Sequence, residues 1–575
     1  MNKLHSEKGR EFSYSFEILH AKAVSLGNYK MDGTKFIEVF GHIIFSFTRS
    51  VSEQYSPNYE DSEYSQETSE YSLLQNTGRE WYAQPVDEII YQEYSDKEVT
   101  VDDFLPASCR VKTVFSDACS LGDNEELNEN EKTDIHRAMS WKQLRPSALR
   151  TVCNSTVVGA SISLLSAIAI GTFFTLISYL CYKTFLNCQF QRKASIPLKL
   201  QWVLVICEII KCVVLYIWAF LSALVLFRPF QLSGVKAKLF LCCMFMYFLD
   251  SLYRVTLQAL GIIKSFPLLD NEQVIPANIL FLMSILGHNC LLANHLCLHS
   301  TRQKRAVFML FSGIYGLPLV AVFVFAIFMY PAYDKQNEKG KLIIALFSPL
   351  LGVAFKTTSR ICVQRLWRIT HPAYSYIMMA PLYSASAIIF RVMQVDLGNL
   401  KAIAYLGIIH GVAEVIERST VVVIDHICQR ILKRASAPWG RYRTPRTERI
   451  AADIAIMSML YESAAIVSIN GFFHLYQFIY MKNISHWAVL LSFTKLTAVP
   501  LVIEWLFTSL SLAIETRYQN LAVMAVWRKD WRRHILVAVL NVLPVASWTS
   551  AHLFDVVRAR FKDPLHQYGC KMPFS

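Results

Sequence analysis

The sequence predicts an all-α protein: a polytopic integral membrane helical bundle of about 10–11 spans, with a disordered acidic N-terminal tail. Hydrophobic residues make up 53% of the 575 residues, and the mean hydropathy is +0.31. After residue 150 they form repeated runs of about 20, the length that a helix needs to cross a hydrocarbon core roughly 30 Å thick. The charge divides at the same place. Residues 1–150 carry 16 Lys/Arg and 26 Asp/Glu, and the remainder carries 41 and 18.

Residues 1–150 are predicted to form a cytoplasmic, largely disordered tail. Residues 51–103 contain 14 acidic residues against Arg79 and Lys97, and low hydrophobicity with high net charge predicts disorder. Within this stretch, the YSLL sequence that begins at Tyr71 fits the tyrosine-x-x-bulky-apolar pattern that endocytic adaptors read. One hypothesis is an adaptor contact at Tyr71. The alternative is a plain solvated linker.

The transmembrane helical domain is predicted at residues 151–557, and a short C-terminal tail follows at 558–575. Hydropathy predicts eleven segments, at residues 157–182, 200–227, 239–263, 276–298, 306–332, 342–355, 373–395, 403–427, 451–481, 487–514 and 535–556. The sixth has only about fourteen residues before Lys356, so a re-entrant half-span is an alternative to a full crossing.

The distribution of Lys and Arg predicts a cytoplasmic N-terminus. Alternate flanks and loops, counted from the N-terminal flank, hold 25 Lys/Arg, and the other set holds 14. A glycosylation sequon at Asn483 lies in the loop between spans nine and ten, which this assignment places on the non-cytoplasmic side of the membrane. The sequence does not distinguish the plasma membrane from an endomembrane.

The eighth segment carries the strongest functional signal, HGVAEVIERSTVVVID at residues 410–425. At 100° per residue, its charged side chains and histidine fall within an arc of about 100° on one face of a helix. Charges are not placed against lipid at membrane depth, so this polar stripe is predicted to face the protein interior. Its members are His410, Glu414, Glu417, Arg418 and Asp425. Because two glutamates flank one arginine, Glu414 or Glu417 is expected to remain free to titrate.

Other predicted spans also carry polar residues at membrane depth. Asp250 and Arg254 are four residues apart and are expected to pair on one face of the third span. His288 and His295 lie on the fourth span, and Glu504 lies on the tenth. Together with the polar stripe, these residues form the candidate substrate or ion pathway. Further charges at this depth are Glu208, Lys211, Arg391, Glu462 and Lys495.

The leading functional prediction is a transporter or channel-like protein that moves a polar or charged solute along this intramembrane charged path. An alternative is a non-transporting receptor or assembly protein whose buried charges only brace helices. HExxH, GxSxG, P-loop and GxGxxG motifs are missing, so the sequence does not indicate an enzyme or a cofactor. The 14 cysteines show no CxxC pair and no disulfide framework. His410 and Glu414 share a ligand face, but the spacing dictates no further ligand, so no metal site is predicted.

A second alternative is a phospholipid scramblase. Residues 248–258, FLDSLYRVTLQ, resemble the acidic helix of XK-related lipid scramblases, with Tyr253 and Arg254 in place of the family's Pro-Gln. The resemblance covers about eleven residues, and so short a match assigns no family. It implies that a polar stripe could serve lipid headgroups instead of a solute.

The loop at residues 430–449 is strongly basic, with seven Lys/Arg and one acid, Glu448. It is predicted to be a cytoplasmic anchor, and a sharper hypothesis is contact with anionic lipid headgroups. The residues proposed for that contact are Arg430, Lys433, Arg434, Arg441 and Arg443. The net charge of +13 therefore reflects a membrane protein, and no nucleic-acid partner is predicted.

Overall fold

The structure is a computed structural model that describes residues 147–184, 188, 193–227, 231–263, 271–296, 301–366, 369–370, 374–433, 445–480, 485–519, 521–561 and 572. The predictions for the acidic tail, for Tyr71 and for the sequon at Asn483 lie outside these residues. The same holds for Arg434, Arg441 and Arg443, and for the side chains of Arg430 and Lys433.

The described chain is almost entirely helical, and no strand occurs in these ranges. Eleven long helices follow one another: α1 Ala148–Thr184, α2 Leu198–Leu226, α3 Lys236–Ala259, α4 Asn271–Leu296, α5 Thr301–Val324, α6 Glu338–Arg365, α7 Ala380–Asp396, α8 Leu400–Lys433, α9 Pro445–Tyr480, α10 His486–Arg517 and α11 Val523–Phe561. A π-helical turn at Ser166–Gly171 interrupts α1, and a second at Phe325–Met329 follows α5. A 3₁₀ turn, Ser375–Met379, precedes α7.

Among the described residues, nine helices are long and apolar enough to cross a membrane. This confirms the all-α, polytopic membrane fold. α8, which carries the polar stripe, and α11 are not among the nine.

The sixth predicted segment needs correction. α6 contains 28 residues and has the length and composition of a full span, whereas the sequence predicts an end at Phe355. The helix continues because Lys356 and Arg360 are buried inside the protein. A charge at this point therefore marks an interior face of the helix and not its end.

The helices α7 and α9 lie at the centre of the bundle, and most of their residues are buried. α9 packs against α1, α7, α10 and α11. Its buried small residues, among them Ser463 and Ala464, allow neighbouring backbones to approach closely, as is usual in membrane bundles. Ser463 Oγ donates a hydrogen bond to Ser163 Oγ on α1 at 3.2 Å.

The helix α8 packs against α6 and α10, and Gly411 meets the ring of Phe507 there without room for a Cβ. Its outer face consists of exposed apolar residues, including Ile408, Val412 and Ile416. Glu414 and Arg418, on the opposite face, are buried. The orientation predicted for the polar stripe is therefore confirmed.

The prediction of no disulfide framework is wrong at one position, because Cys188 is disulfide-bonded. Cys181, Cys212 and Cys243 are free and buried, as expected for cysteines that pack as small apolar residues.

We expect Gly171→Ala to weaken the packing of α1 on α9. A Cβ at this position would lie 2.8 Å from Val467 Cβ and 3.3 Å from the carbonyl oxygen of Ala464. Overpacking of this kind costs about 1–3 kcal/mol and should lower the midpoint of thermal unfolding in detergent. The matched control is Gly313→Ala on α5, where nothing lies within 4 Å of the added Cβ. Equal losses in the two variants would contradict close α1–α9 packing.

Candidate functional site

The polar stripe of α8 is surrounded by charged and polar side chains from four other helices. We call this assembly the polar column. It comprises Lys356, Arg360 and Gln364 from α6, Arg391 and Gln394 from α7, the five stripe residues of α8, Ser458 and Glu462 from α9, and Glu504 and Glu515 from α10. From His410 to Asp425 it extends roughly 22 Å along α8, at 1.5 Å per residue. That length is most of a hydrocarbon core of about 30 Å.

At one end of the polar column, Asp425 is held by two residues of α6. Arg360 approaches Asp425 Oδ1 with Nε at 2.8 Å and with Nη2 at 2.7 Å. Gln364 Nε2 donates to the other oxygen, Oδ2, at 2.7 Å. A carboxylate with both oxygens occupied by donors from one helix is a closed pair, and it ties α8 to α6.

One turn before Arg360 on α6, Lys356 faces Glu417. Lys356 Nζ lies 3.9 Å from Glu417 Oε2 and 4.9 Å from the centre of the Tyr383 ring. The lysine ammonium therefore lies near both a carboxylate and an aromatic face, and the second is a favourable contact for a cation. Glu417 has a counter-charge, so it is not the free acid that the sequence analysis allows.

The strongest contact in the polar column joins α8 to α10. Arg418 Nε and Nη2 donate to the two carboxylate oxygens of Glu515 at 2.9 Å and 2.7 Å, the bidentate geometry of strong charged pairs. The distance from Arg418 Nη1 to Glu414 Oε1 is 3.9 Å. Arg418 therefore pairs most closely with Glu515 of α10, and its contact with Glu414 of its own helix is longer.

Near the middle of the polar column, one arginine is shared by two acids. Arg391 Nη2 lies 2.8 Å from Glu504 Oε2 and 3.3 Å from Glu462 Oε2. Arg391 Nη1 donates to Gln394 Oε1 at 2.8 Å, and Gln394 Nε2 donates to the carbonyl of Ile403 at 2.7 Å. This arginine therefore links α7, α9 and α10, and through Gln394 it is oriented against α8.

His410 and Glu414 face the same region from α8. His410 Nε2 lies 3.4 Å from Glu462 Oε1, and its ring stacks on Phe390 with centroids 4.0 Å apart. Glu414 Oε1 accepts a hydrogen bond from Ser458 Oγ at 3.3 Å. Glu462 and Glu504 thus meet Arg391 from α9 and α10, His410 approaches Glu462 from α8, and Glu414 contacts α9 at Ser458.

The structure does not place every predicted pathway residue in the polar column. Asp250 and Arg254 form the expected pair, with 3.1 Å between Arg254 Nε and Asp250 Oδ2. Arg254 Nη1 also lies 3.4 Å from Glu208 Oε1, to which Lys211 Nζ is 2.6 Å away. This second cluster lies between α2 and α3, and α3 packs mainly on α2 and α4.

The two histidines of α4 lie outside the polar column as well. His288 Nδ1 is 3.7 Å from Cys243 Sγ on α3, and His295 Nε2 is 3.0 Å from the carbonyl oxygen of Gln231. On α10, Lys495 is exposed. Of the predicted pathway residues outside α8, Glu504 is therefore the one that joins the stripe, and Arg391 and Glu462, predicted as further charges at membrane depth, join it too.

Six members of the polar column are not among the candidates predicted from the sequence: Lys356, Arg360, Gln364, Gln394, Ser458 and Glu515. Lys356, Arg360 and Gln364 are spaced by four residues and share one face of α6, the same signal that the sequence analysis uses for Asp250 and Arg254. They were missed because the predicted segment ends at Phe355. Glu515 was missed because the tenth segment ends at Ile514.

A third charged cluster joins the start of α9 to α11, and the sequence analysis does not predict it. The fully buried Asp453 accepts a hydrogen bond from His534 Nε2 at 2.9 Å and pairs with Arg449 and Arg533 at 3.3 Å each. Asp530 lies at a kink in α11, with φ −119° and ψ 18°, and pairs with the same two arginines. The cluster fixes the bend of α11 against α9.

Within the described ranges, no group of three or more His, Cys, Asp or Glu residues is arranged to hold a metal ion. Comparison of the chain with protein-family models, with curated proteins and with solved structures finds no match.

We expect Arg418→Met to lower stability strongly, because it leaves Glu515 buried without its counter-charge. Removing one partner of a buried pair costs about 3–5 kcal/mol. In the double variant Arg418→Met/Glu515→Leu no charge is stranded, so it should be more stable than Arg418→Met alone. Thermal unfolding of the single and double variants gives the coupling free energy.

The control for this cycle is Lys335→Met, at an exposed position, which should leave the unfolding midpoint unchanged. Additive effects of the Arg418 and Glu515 substitutions would show that these two residues do not stabilise the protein as a pair.

Proposed function

We propose that this multi-pass membrane protein is a transporter that moves a polar or charged solute along the polar column. The observation that supports this proposal is unused hydrogen-bonding capacity at membrane depth. Glu504 Oε1, Arg391 Nε, Arg418 Nη1 and both ring nitrogens of His410 are buried and make no hydrogen bond in the structure. Each such group is expensive in a membrane interior, and a solute with polar groups would supply partners.

The middle of the polar column holds several of these unsatisfied groups. Arg391 Nε on α7, both ring nitrogens of His410 on α8 and Glu504 Oε1 on α10 are buried without a hydrogen-bond partner. At the other end, both carboxylate oxygens of Asp425 accept hydrogen bonds from α6. This difference supports a solute site near Arg391.

The helix that carries Glu504 stays helical through Pro500 but lacks one backbone hydrogen bond there. Pro500, one turn before Glu504, lacks the N–H that would bond the carbonyl of Leu496. Asn470 Nδ2 on α9 donates to that carbonyl at 3.3 Å, so the freed group is satisfied by a neighbouring helix. Proline is tolerated in membrane helices under this condition, and proline-interrupted segments are common at transporter binding sites.

A phospholipid scramblase is a second candidate, favoured by the cluster between α2 and α3. Asp250 and Arg254 are buried there, whereas the other faces of α3 expose large apolar residues, including Phe245 and Phe248. Polar side chains next to an apolar, lipid-facing surface suit a phospholipid, because its headgroup needs polar contacts while its tails stay in the hydrocarbon. The third possibility, charges that only brace the helices, is an outcome of the tests below.

We expect Glu414→Gln to abolish solute flux while the protein remains folded. Glutamine keeps an acceptor for the Ser458 hydroxyl, and Glu414 lies 3.9 Å from the nearest arginine nitrogen, so stability should change little. The solute is first sought as a stabiliser of the purified protein in a panel of charged and polar solutes, because a bound ligand raises the unfolding midpoint. Flux of the stabilising solute is then measured in proteoliposomes.

The matched control is Glu338→Gln at the exposed start of α6, which should transport normally. Loss of folding in Glu414→Gln would instead support the third possibility, in which the buried charges only hold the helices together. If no solute stabilises the protein but a fluorescent phospholipid is flipped in the same proteoliposomes, the scramblase is favoured and the transporter proposal fails.

A further inference from the structure

The charges of the polar column do not balance. Its six carboxylates face four Lys/Arg side chains: Glu414, Glu417, Asp425, Glu462, Glu504 and Glu515 against Lys356, Arg360, Arg391 and Arg418. Three of these acids have a basic partner of their own, namely Asp425, Glu417 and Glu515. The excess of two negative charges therefore lies on the three remaining acids: Glu462 and Glu504 share Arg391, and Glu414 lies 3.9 Å from Arg418, which is already bound to Glu515.

An excess of two charges at this depth cannot persist. Moving an isolated carboxylate into a medium of low dielectric constant costs so much that the group is neutralised instead. Glu414, Glu462 and Glu504 are all buried, with exposed fractions of 8%, 3% and 3%. Among the described residues, the ion pairs of these acids involve no Lys or Arg beyond the four already counted, so we look to another source for two positive charges.

A metal ion does not fit between these acids. Arg391 Nη2 already lies between Glu462 Oε2 and Glu504 Oε2, at 3.3 Å and 2.8 Å, so its guanidinium occupies the position that a cation would take. The described residues hold no group of three metal ligands here or elsewhere. The neutralising species must therefore be small enough to attach to a side chain that is already in place, which is the property of a proton.

His410 gives the independent second observation. Its side chain is 10% exposed, and neither ring nitrogen makes a hydrogen bond in the structure. Nε2 points at Glu462 Oε1 from 3.4 Å. A protonated imidazole here would pair with Glu462, just as Arg391 pairs with Glu504.

We propose that Glu414, Glu462 and Glu504, together with Arg391 and His410, form a site that binds two protons. One proton resides on the His410 imidazole and faces the Glu462 carboxylate. The other resides on the Glu414 carboxyl group, which keeps its contact with Ser458. With Arg391 on Glu504, this assignment makes the site electrically neutral.

Other charged and titratable groups face this site from α6, α7, α8 and α10. α6 contributes Lys356 and α7 contributes Tyr383, which are in contact with each other. α8 contributes Arg418, and α10 contributes Glu515, which are paired. None of these groups changes the excess of negative charge near Arg391, because each is already in contact with a partner.

In a transporter these two protons would be the coupling ions, and in this respect the inference rests on the proposed function. Each proton is taken up from water as the site opens to one side and is returned to water when it opens to the other. The proton is the transported species in that step, and no bond other than O–H or N–H forms or breaks.

Infrared spectroscopy of the purified full-length protein tests the site without knowledge of the solute. At neutral pH we expect a C=O stretching band of a protonated buried carboxyl group, which shifts in D₂O and disappears as the pH is raised. Glu414→Gln should remove this band. The control Asp396→Asn should keep it, because Asp396 is paired with Lys341 at 2.9 Å outside the polar column.

A folded wild-type protein without a protonated-carboxyl band at neutral pH would overturn the proposal, and so would a band that survives in Glu414→Gln. If Glu414→Gln does not fold, Glu414→Asp replaces it, and a band that does not shift in that variant would also overturn the proposal. The outcomes for the two proposals are separable. If the band is present but no solute flux is found, the proton site stands and the transporter proposal fails. If flux is found without the band, the transporter proposal stands and the proton site fails.

Discussion

The burial of charge on α8 is the constraint on which the rest of the membrane domain depends. Charged side chains at bilayer depth are stable only where other helices supply partners. α6, α7, α9 and α10 each meet this requirement with at least one polar side chain directed at the stripe. The bidentate pair of Arg418 with Glu515 sets the register between α8 and α10. The absence of a side chain at Gly411 then lets the two helices approach, with the ring of Phe507 packed against the glycine.

The all-α membrane fold and the inward orientation of the stripe were predictable from the sequence, because both follow from local periodicity. Helical spacing alone places Glu414 and Arg418 on one face. The partners were not predictable, because Glu515 is 97 residues away from Arg418 in the chain and no local rule connects them. A hydropathy segment also ends at its first charge, so Lys356 and Arg360 were assigned to a loop although they are interior positions of a longer helix.

By sequence, the intramembrane charges are predicted to form one path. In the structure they form separate clusters that differ in charge balance. Between α2 and α3, Glu208 and Asp250 face Lys211 and Arg254, so two acids meet two bases. Such a cluster can close on itself and hold two helices together. The polar column holds two acids more than bases. Charge balance, which can be counted only after the partners are known, therefore distinguishes the two clusters.

Pro500 links this charge imbalance to movement of α10. Glu504 lies one turn beyond Pro500 and 2.8 Å from Arg391, so bending of α10 at Pro500 would change that distance. If Glu504 withdraws, Arg391 faces Glu462 alone, and the site holds one acid fewer. Conversely, loss of a proton leaves an unbalanced acid beside Glu504 and repels it. Two states of α10 would then differ in proton affinity, and by linkage proton binding would favour one of them.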